Sequence, residues 1–253
     1  MRRITGSLAL LFGLVFIGSM YSVFFASSPN QAQAADVDAQ QVADGKQIYQ
    51  TACITCHGGN LQGVVGRGPS LVGVGQAATY FQVITGRMPA VENGAQIQRK
   101  EPVFDADQTD KLAAYIQANG GGPVIPSGDL RAPEQIAKGG DLYRLNCASC
   151  HNFTGQGGAL SQGKYAPNLD KATDSVIYGA MLSGPQNMPK FGDGQLTSDE
   201  KRAIITYIQD NKQTIDPGGY ALGGFGPAPE GLIAFLVGMG AIVAAVLWMG
   251  SKA

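Results

Sequence analysis

Apolar residues follow two patterns along this chain. Residues 7–26 and 231–250 contain no charged side chain, and each stretch has about 20 residues, enough to span the hydrocarbon core of a bilayer. Between them, apolar residues recur at the three- and four-residue spacing of helices, for example at Ile204, Ile205 and Ile208. The pattern therefore predicts a mainly α-helical protein with membrane-spanning helices at the C-terminus and at the N-terminus.

The first apolar stretch allows two interpretations. The segment "AQAAD" at 32–36 resembles a signal-peptidase site, but the apolar run exceeds the roughly 7–15 residues that are usual for a secretory signal. We therefore favour a retained anchor over a cleaved signal peptide. Arg2, Arg3 and Lys252 flank the two stretches, and because such charges mark cytoplasmic ends, the region between is predicted to lie outside the cytoplasm.

The central region contains an internal repeat. "GKQIYQTACITCHG" (45–58) is similar to "GGDLYRLNCASCHN" (139–152), and "KLAAYIQANG" (111–120) is similar to "AIITYIQDNK" (203–212). Each repeat is therefore predicted to be a module that opens with one helix and closes with another.

Local signals support these helices. Thr197 and Glu200 form a capping box at the start of the second closing helix, and Asn119–Gly120 ends the first. Gly45 and Gly139 occupy equivalent places in the two opening helices, four residues before a tyrosine. We expect the closing helix of each module to cross the opening helix closely at this glycine.

The repeat and two Gly/Pro-rich stretches divide the chain into segments. The predicted segments are an N-terminal membrane anchor or signal peptide (1–35), a first module (36–122), a Gly/Pro linker (123–138), a second module (139–216), a Gly/Pro segment (217–230) and a C-terminal transmembrane helix (231–253).

Each opening helix leads into a C-x-x-C-H run, which is typical of c-type haem attachment. The thiols of Cys53 and Cys56, and those of Cys147 and Cys150, are spaced to bond the two vinyl groups of a haem. His57 and His151 directly follow the second thiols and supply an imidazole for the iron. The two runs contain all four cysteines and both histidines of the chain. The sequence therefore predicts two covalently bound haems, each within its own module.

Other chemistries of paired thiols fit less well. A thioredoxin-like motif would lie near a βαβ pattern and needs no trailing histidine. A disulfide or a zinc site built from both runs is possible in principle. Because both runs are intact and no further cysteine or histidine is present, haem is the preferred interpretation.

The second axial ligand of each iron cannot be histidine, and methionine is the common alternative. Three of the seven methionines lie within the modules. Met88 and Met188 both follow a Thr/Ser-Gly pair, precede a proline and fall between a haem run and a closing helix. They are the predicted ligands, and Met181 is the reserve candidate for the second iron.

Further residues are candidates to support the haems. The carbonyl groups of Pro69 and Pro167 follow the two runs at similar distances and could accept a hydrogen bond from the histidine, although each proline could equally mark a simple turn. Arg67, Arg87, Lys164 and Lys190 could pair with haem propionates, but a solvated charge is the expectation for each.

Charge and composition narrow the function. The chain has 36 glycines and a formal net charge of −1, which gives no basic footprint for nucleic acid. All 19 acidic residues and all basic residues except Arg2, Arg3 and Lys252 lie between 36 and 230, so the central region is net acidic. A fixed electron-transfer subunit is therefore favoured over a basic mobile carrier. Two six-coordinate haems leave no open site for substrate.

Several stretches resemble one family closely. "CITCHG", "GPSL", "GRMPA", "NCASCHNFTG", "GGALSQGKYAP", "GPQNMPKF" and "GGFGPAPEG" are similar to the dihaem cytochrome c subunit of the actinobacterial cytochrome bc complex, a menaquinol–cytochrome c reductase. The resemblance covers nearly the whole chain. It implies two tandem class I cytochrome c modules, with His57 and Met88, and His151 and Met188, as axial pairs.

The resemblance also implies the partners. The first module would take electrons from the Rieske iron–sulfur protein, in a complex with the cytochrome b subunit, and the second would pass them to a haem-copper oxidase. The chain would thus be a membrane-embedded subunit of a reductase and translocase, without catalytic residues of its own. Two alternatives are a dihaem carrier for another membrane dehydrogenase or oxidase, and a dihaem peroxidase. The absence of a third histidine argues against the peroxidase.

Overall fold

The protein is mainly helical, as predicted. The computed structural model describes residues 12–16, 19, 38–92, 94, 96–213 and 227–252. The first half comprises α1 (Ala39–Ala52), α2 (Ile54–His57), α3 (Gly75–Ile84) and α4 (Ala106–Gly120). The second half repeats this order with α5 (Ile136–Asn146), α6 (Ala148–His151), α7 (Asp174–Ser183) and α8 (Ser198–Gln213), followed by α9 (Pro227–Gly250). A short antiparallel ribbon, β1 (Gly158–Ala159) and β2 (Tyr165–Ala166), precedes α7 and pairs Gly158 with Ala166.

The first and last helices of each half cross at a glycine, which confirms the expectation from the repeat. A Cβ on Gly45 of α1 would overlap the carbonyl oxygen of Lys111 on α4. A Cβ on Gly139 of α5 would likewise overlap the carbonyl oxygen of Ala203 on α8. Only a residue without a side chain lets the two backbones approach so closely.

A tyrosine pair packs beside each crossing. The rings of Tyr49 and Tyr115 have centroids 5.2 Å apart, and those of Tyr143 and Tyr207 have centroids 5.3 Å apart. Both pairs are tilted, with interplanar angles of 43° and 45°. Offset and tilted ring pairs of this kind contribute beyond the area they bury. The repeat therefore extends from backbone crossing to side-chain packing.

Capping boxes fix the starts of both closing helices. At α8, the Thr197 amide donates to Glu200 at 2.9 Å and the Glu200 amide donates to Thr197 Oγ1 at 3.3 Å, which confirms the predicted box. At α4, Asp105 and Gln108 exchange the same two bonds. The end of α4 at Gly120 also agrees with the prediction.

The two halves pack together through α3 and α7. A Cβ on Gly179 of α7 would lie 3.0 Å from the carbonyl oxygen of Ala77 on α3, so these helices are in close contact. Phe81 of α3 belongs to the hydrophobic core of the second half, with Tyr178 and Ile204. The two halves are therefore packed against each other and are not independent domains joined only by a linker.

The Gly/Pro stretch between the halves is tied to both of them. The carbonyl of Pro123 accepts from the Ala77 amide at 3.0 Å, and the Ala132 amide donates to Thr206 Oγ1 at 2.7 Å. A 3₁₀ turn at Pro133–Gln135 leads into α5, which begins before the predicted module start at 139. These bonds make the stretch part of the packed structure.

The segment Pro229–Gly250 is, within the described residues, the one helix long and apolar enough to cross a membrane, and none of it is buried. Lys252 lies 5.4 Å from the ring centroid of Trp248 at the end of this helix. Residues 12–16 and 19 are helical, but most of the predicted N-terminal span, and residues 217–226 of the second Gly/Pro segment, lie outside the described residues. The N-terminal span therefore stays a prediction.

Replacing Gly139 by alanine is expected to destabilise the second half by about 1–3 kcal/mol, because the added methyl group must push apart two packed helices. The measurement is denaturant unfolding of the haem-loaded full chain in detergent, followed by far-ultraviolet circular dichroism. Gly192→Ala is the matched control, since a Cβ there meets nothing within 4 Å. Equal unfolding midpoints for the two variants would contradict the crossing.

Candidate haem sites

Each C-x-x-C-H run lines its own cavity. The first cavity is partly open to solvent and is lined by Cys53, His57 and Met88. Cys56 of the same run is exposed. The cavity lies among α1, α3 and α4, so residues far apart in sequence converge on it.

The second cavity has the corresponding residues. It is again partly open to solvent, and Cys147, Cys150 and His151 all line it. Met181 and Met188 both line it too. Most of the remaining wall is apolar, which suits a large flat cofactor with a hydrocarbon body.

Both histidines are oriented by a proline carbonyl. His57 Nδ1 lies 2.8 Å from the Pro69 oxygen, and His151 Nδ1 lies 3.0 Å from the Pro167 oxygen, which confirms the predicted acceptors. A carbonyl can only accept, so Nδ1 carries the proton and Nε2 is the nitrogen left to bind a metal. Burial lowers the pKa of His151, which keeps its ring neutral as ligation requires.

A tyrosine hydroxyl holds the end of each run in place. Tyr49 donates to the carbonyl of Gly58 at 2.6 Å, and Tyr143 donates to the carbonyl of Asn152 at 2.7 Å. Gly58 and Asn152 directly follow the two histidines and have φ angles of 78° and 65°. The tyrosine that packs beside each helix crossing thus also fixes the turn that follows the candidate iron ligand.

The thiols are not those of a redox dithiol. All four cysteines are free, and burial raises the pKa of Cys53 to about 11 and that of Cys147 to about 12. Redox-active thiols of the thioredoxin type have lowered pKa values instead. The two runs line different cavities, and within the part of the chain that the structure describes no three His, Cys, Asp or Glu side chains gather as a metal site. The zinc alternative is therefore not supported.

The methionines differ in their place within the repeat. Met88 lies in the loop after α3, where its amide donates to the Gln82 carbonyl at 2.9 Å. Met188 lies in the equivalent loop after α7, where its amide donates to the Pro185 carbonyl at 3.0 Å. Met181 is inside α7 and only 2% exposed. Both Met181 and Met188 reach the second cavity, but only Met188 matches Met88.

Each cavity is lined in part by residues of the other half, which the sequence did not predict. Phe81, Arg87 and Arg99 of the first half line the second cavity, and Pro185 and Gln186 of the second half line both. No local pattern signals these contacts, because they arise only when α3 packs against α7.

The expectation of a solvated charge is wrong for Arg87, which is only 6% exposed. Burial first, and the charge of Arg99 second, lower the pKa of its guanidinium. Arg67 and Lys190 are exposed, as expected, and Lys164 is half-buried. The loop that carries Met88 therefore buries a cation beside the neighbouring cavity.

Comparison with known proteins agrees with this arrangement. A family profile described as "Cytochrome C oxidase, cbb3-type, subunit III" matches residues 40–116 and 134–208, one match in each half. The matched halves are cytochrome c domains, which implies covalently bound haem c.

Full-length relatives are more informative. The "Cytochrome bc1 complex cytochrome c subunit" of Mycobacterium tuberculosis (strain ATCC 25618 / H37Rv) is 50% identical over 258 residues, covering 99% of this chain and 92% of that protein. The protein of the same name from Corynebacterium diphtheriae is 52% identical over 269 residues, covering 99% and 95%. A cbb3-type oxidase subunit of Helicobacter pylori (strain 52) is 22% identical over 198 residues, covering 74% and 64%. The chain belongs to the family of cytochrome c subunits of the cytochrome bc1 complex.

Proposed function

We propose that this chain relays electrons from a Rieske iron–sulfur protein, through two covalently bound haem c groups, to a haem-copper cytochrome c oxidase. The observation that carries the proposal is the wall formed by Pro185 and Gln186, which lines both haem cavities. Cofactors bound in two cavities that share wall residues would be neighbours, as electron transfer between them requires. Family membership supports an electron-transfer subunit of a reductase complex.

The side chains in both cavities suit haem c. The proposed attachment residues are Cys53, Cys56, Cys147 and Cys150, and the proposed iron ligands are His57, Met88, His151 and Met188. Nε2 of each histidine is left free by the bond from Nδ1, and a thioether lines each cavity. Bound haem c supplies reversible one-electron transfer, and histidine–methionine ligation favours a high potential.

The order of transfer rests on the family resemblance. We assign the first module to the Rieske protein and the second to the oxidase, with the cytochrome b subunit in the same complex. The two proposed modules, 36–122 and 139–216, are each net acidic, which fits a fixed subunit that needs no soluble cytochrome c.

Membrane attachment keeps the modules beside their partners. The C-terminal helix anchors the chain, and we propose a second span at 7–26 with both haem modules outside the cytoplasm. Trp248 and Lys252 at the end of α9 are the residue types that favour a membrane–water interface, and a lysine there fits a cytoplasmic end.

A second candidate is a subunit that feeds an oxidase without a bc complex. The observation that favours it is the match to the cbb3-type oxidase profile. The two candidates differ in what accompanies the chain in the membrane, since only the first requires an iron–sulfur protein.

Affinity purification of the full chain from native membranes in mild detergent separates these candidates. We expect difference spectra with b- and a-type haem bands beside the c-type band, together with quinol oxidation, because a fixed subunit stays bound to both complexes. Recovery of oxidase haem without an iron–sulfur protein would favour the second candidate. Recovery of c-type haem alone, even after gentle cross-linking, would contradict both.

Replacing Met188 by leucine is expected to remove a ligand of the second haem. Loss of the thioether should abolish the low-spin spectrum of that haem and lower its reduction potential, since methionine ligation raises it. Met181→Leu is the matched control, because this side chain lines the same cavity from within α7. A spectral change in the Met181 variant with an unaltered Met188 variant would reverse the assignment. Met88→Leu should act in the same way on the first haem only.

A further inference from the structure

A buried cation of the first half faces the haem cavity of the second half. Arg87 follows α3, is 6% exposed, and lines the second cavity with its guanidinium 4.9 Å from the ring centroid of Phe81. Its Nε is buried and has no hydrogen-bond partner in the described structure. A buried charge without a full set of partners is costly, so Arg87 calls for a counter-charge that completes the site.

A second guanidinium, that of Arg99, increases the positive charge that an anion would neutralise. Arg99 lines the same cavity from its exposed rim. No aspartate or glutamate is among the described residues that line this cavity, and neither arginine forms an ion pair with a described carboxylate. Two like charges share one wall and repel each other until an anion lies between them.

A close backbone contact brings together the two segments that carry Arg87 and Arg99. A Cβ on Gly86 would overlap the carbonyl oxygen of Lys100, so the segment 96–100 approaches the Arg87 loop at a place where only glycine fits. The Lys100 ammonium reinforces this contact by donating to the Pro89 carbonyl at 2.6 Å.

The same segment is fastened to the second half. The Gln96 side chain donates to the Tyr165 carbonyl at 2.9 Å and accepts from the Tyr165 amide at 3.0 Å. Gln186 donates to the Ile97 carbonyl at 2.6 Å, and Arg99 donates to the Lys171 carbonyl at 3.4 Å. Arg99 is thus held at the cavity mouth by backbone contacts rather than by an acidic residue.

We infer that Arg87 and Arg99 bind the propionate carboxylates of the haem in the second cavity, so that the first module supplies the anion clamp for the haem of the second. The inference rests on the proposed function, since it requires haem in that cavity. Haem c carries two propionates, and a guanidinium fork matches a carboxylate in geometry and charge. The clamp neutralises the propionates and ties the two modules together through the cofactor.

The test is a potentiometric titration of the purified full chain, with the second haem identified as the wave that moves in Met188→Leu. Arg87→Gln and Arg99→Gln should each lower the potential of the second haem, because a nearby positive charge favours the ferrous form. We expect about a tenfold change in the equilibrium constant for reduction, or about 59 mV for one electron. Arg87→Lys should restore part of the potential, since it keeps the charge but not the fork.

Arg144→Gln is the matched control, since it removes the same charge from α5, pairs with Asp141, and does not line the cavity. A second-haem potential no lower in Arg87→Gln and Arg99→Gln than in the control would overturn the inference. A shift confined to the first haem would also overturn it, because Arg87 would then act through Met88. If Arg87→Gln fails to assemble, Arg99→Gln alone decides. Haem content separates the two proposals: one haem per wild-type chain contradicts the proposed function itself.

Discussion

In each half of the molecule, the first and last helices cross at a glycine, and the positions of the other residues of the site depend on that contact. The missing side chain lets the backbones of α1 and α4, or of α5 and α8, touch. The neighbouring tyrosine then packs against its partner ring and reaches the carbonyl after the histidine. Tyr49 and Tyr143 thus connect the helix crossing to the turn after the candidate iron ligand by a single hydrogen bond each. A larger residue at the crossing would displace the turn as well as the helix.

The histidine side of each site is completed by a backbone acceptor. A proline carbonyl cannot ionise and cannot swing away as a side chain would, so it is a fixed acceptor for the hydrogen bonds from His57 and His151. The bond fixes the tautomer and the ring orientation at once.

The features that could be predicted from the sequence are those that depend on local spacing or on the repeat. The haem runs, the capping box at Thr197, the glycine crossings and the proline acceptors each recur in both halves or follow from a few adjacent residues. The choice between Met181 and Met188 stayed open because both lie near α7. The burial of Arg87 was not predictable, since no local pattern indicates it and it depends on α3 packing against the second half.

The repeat is therefore symmetric in its local parts and asymmetric where the halves meet. Phe81 and Arg87 of the first half complete the second cavity, while Leu182 and Lys190 of the second half line the first. Because each module lines part of the other module's cavity, the two cannot reorient freely about the segment that joins them. That segment is itself hydrogen-bonded to both modules. For the proposed function, a fixed distance between two redox centres suits a relay whose donor and acceptor are also fixed in the membrane. A mobile carrier, which needs one exposed site and freedom to diffuse, would gain nothing from this construction.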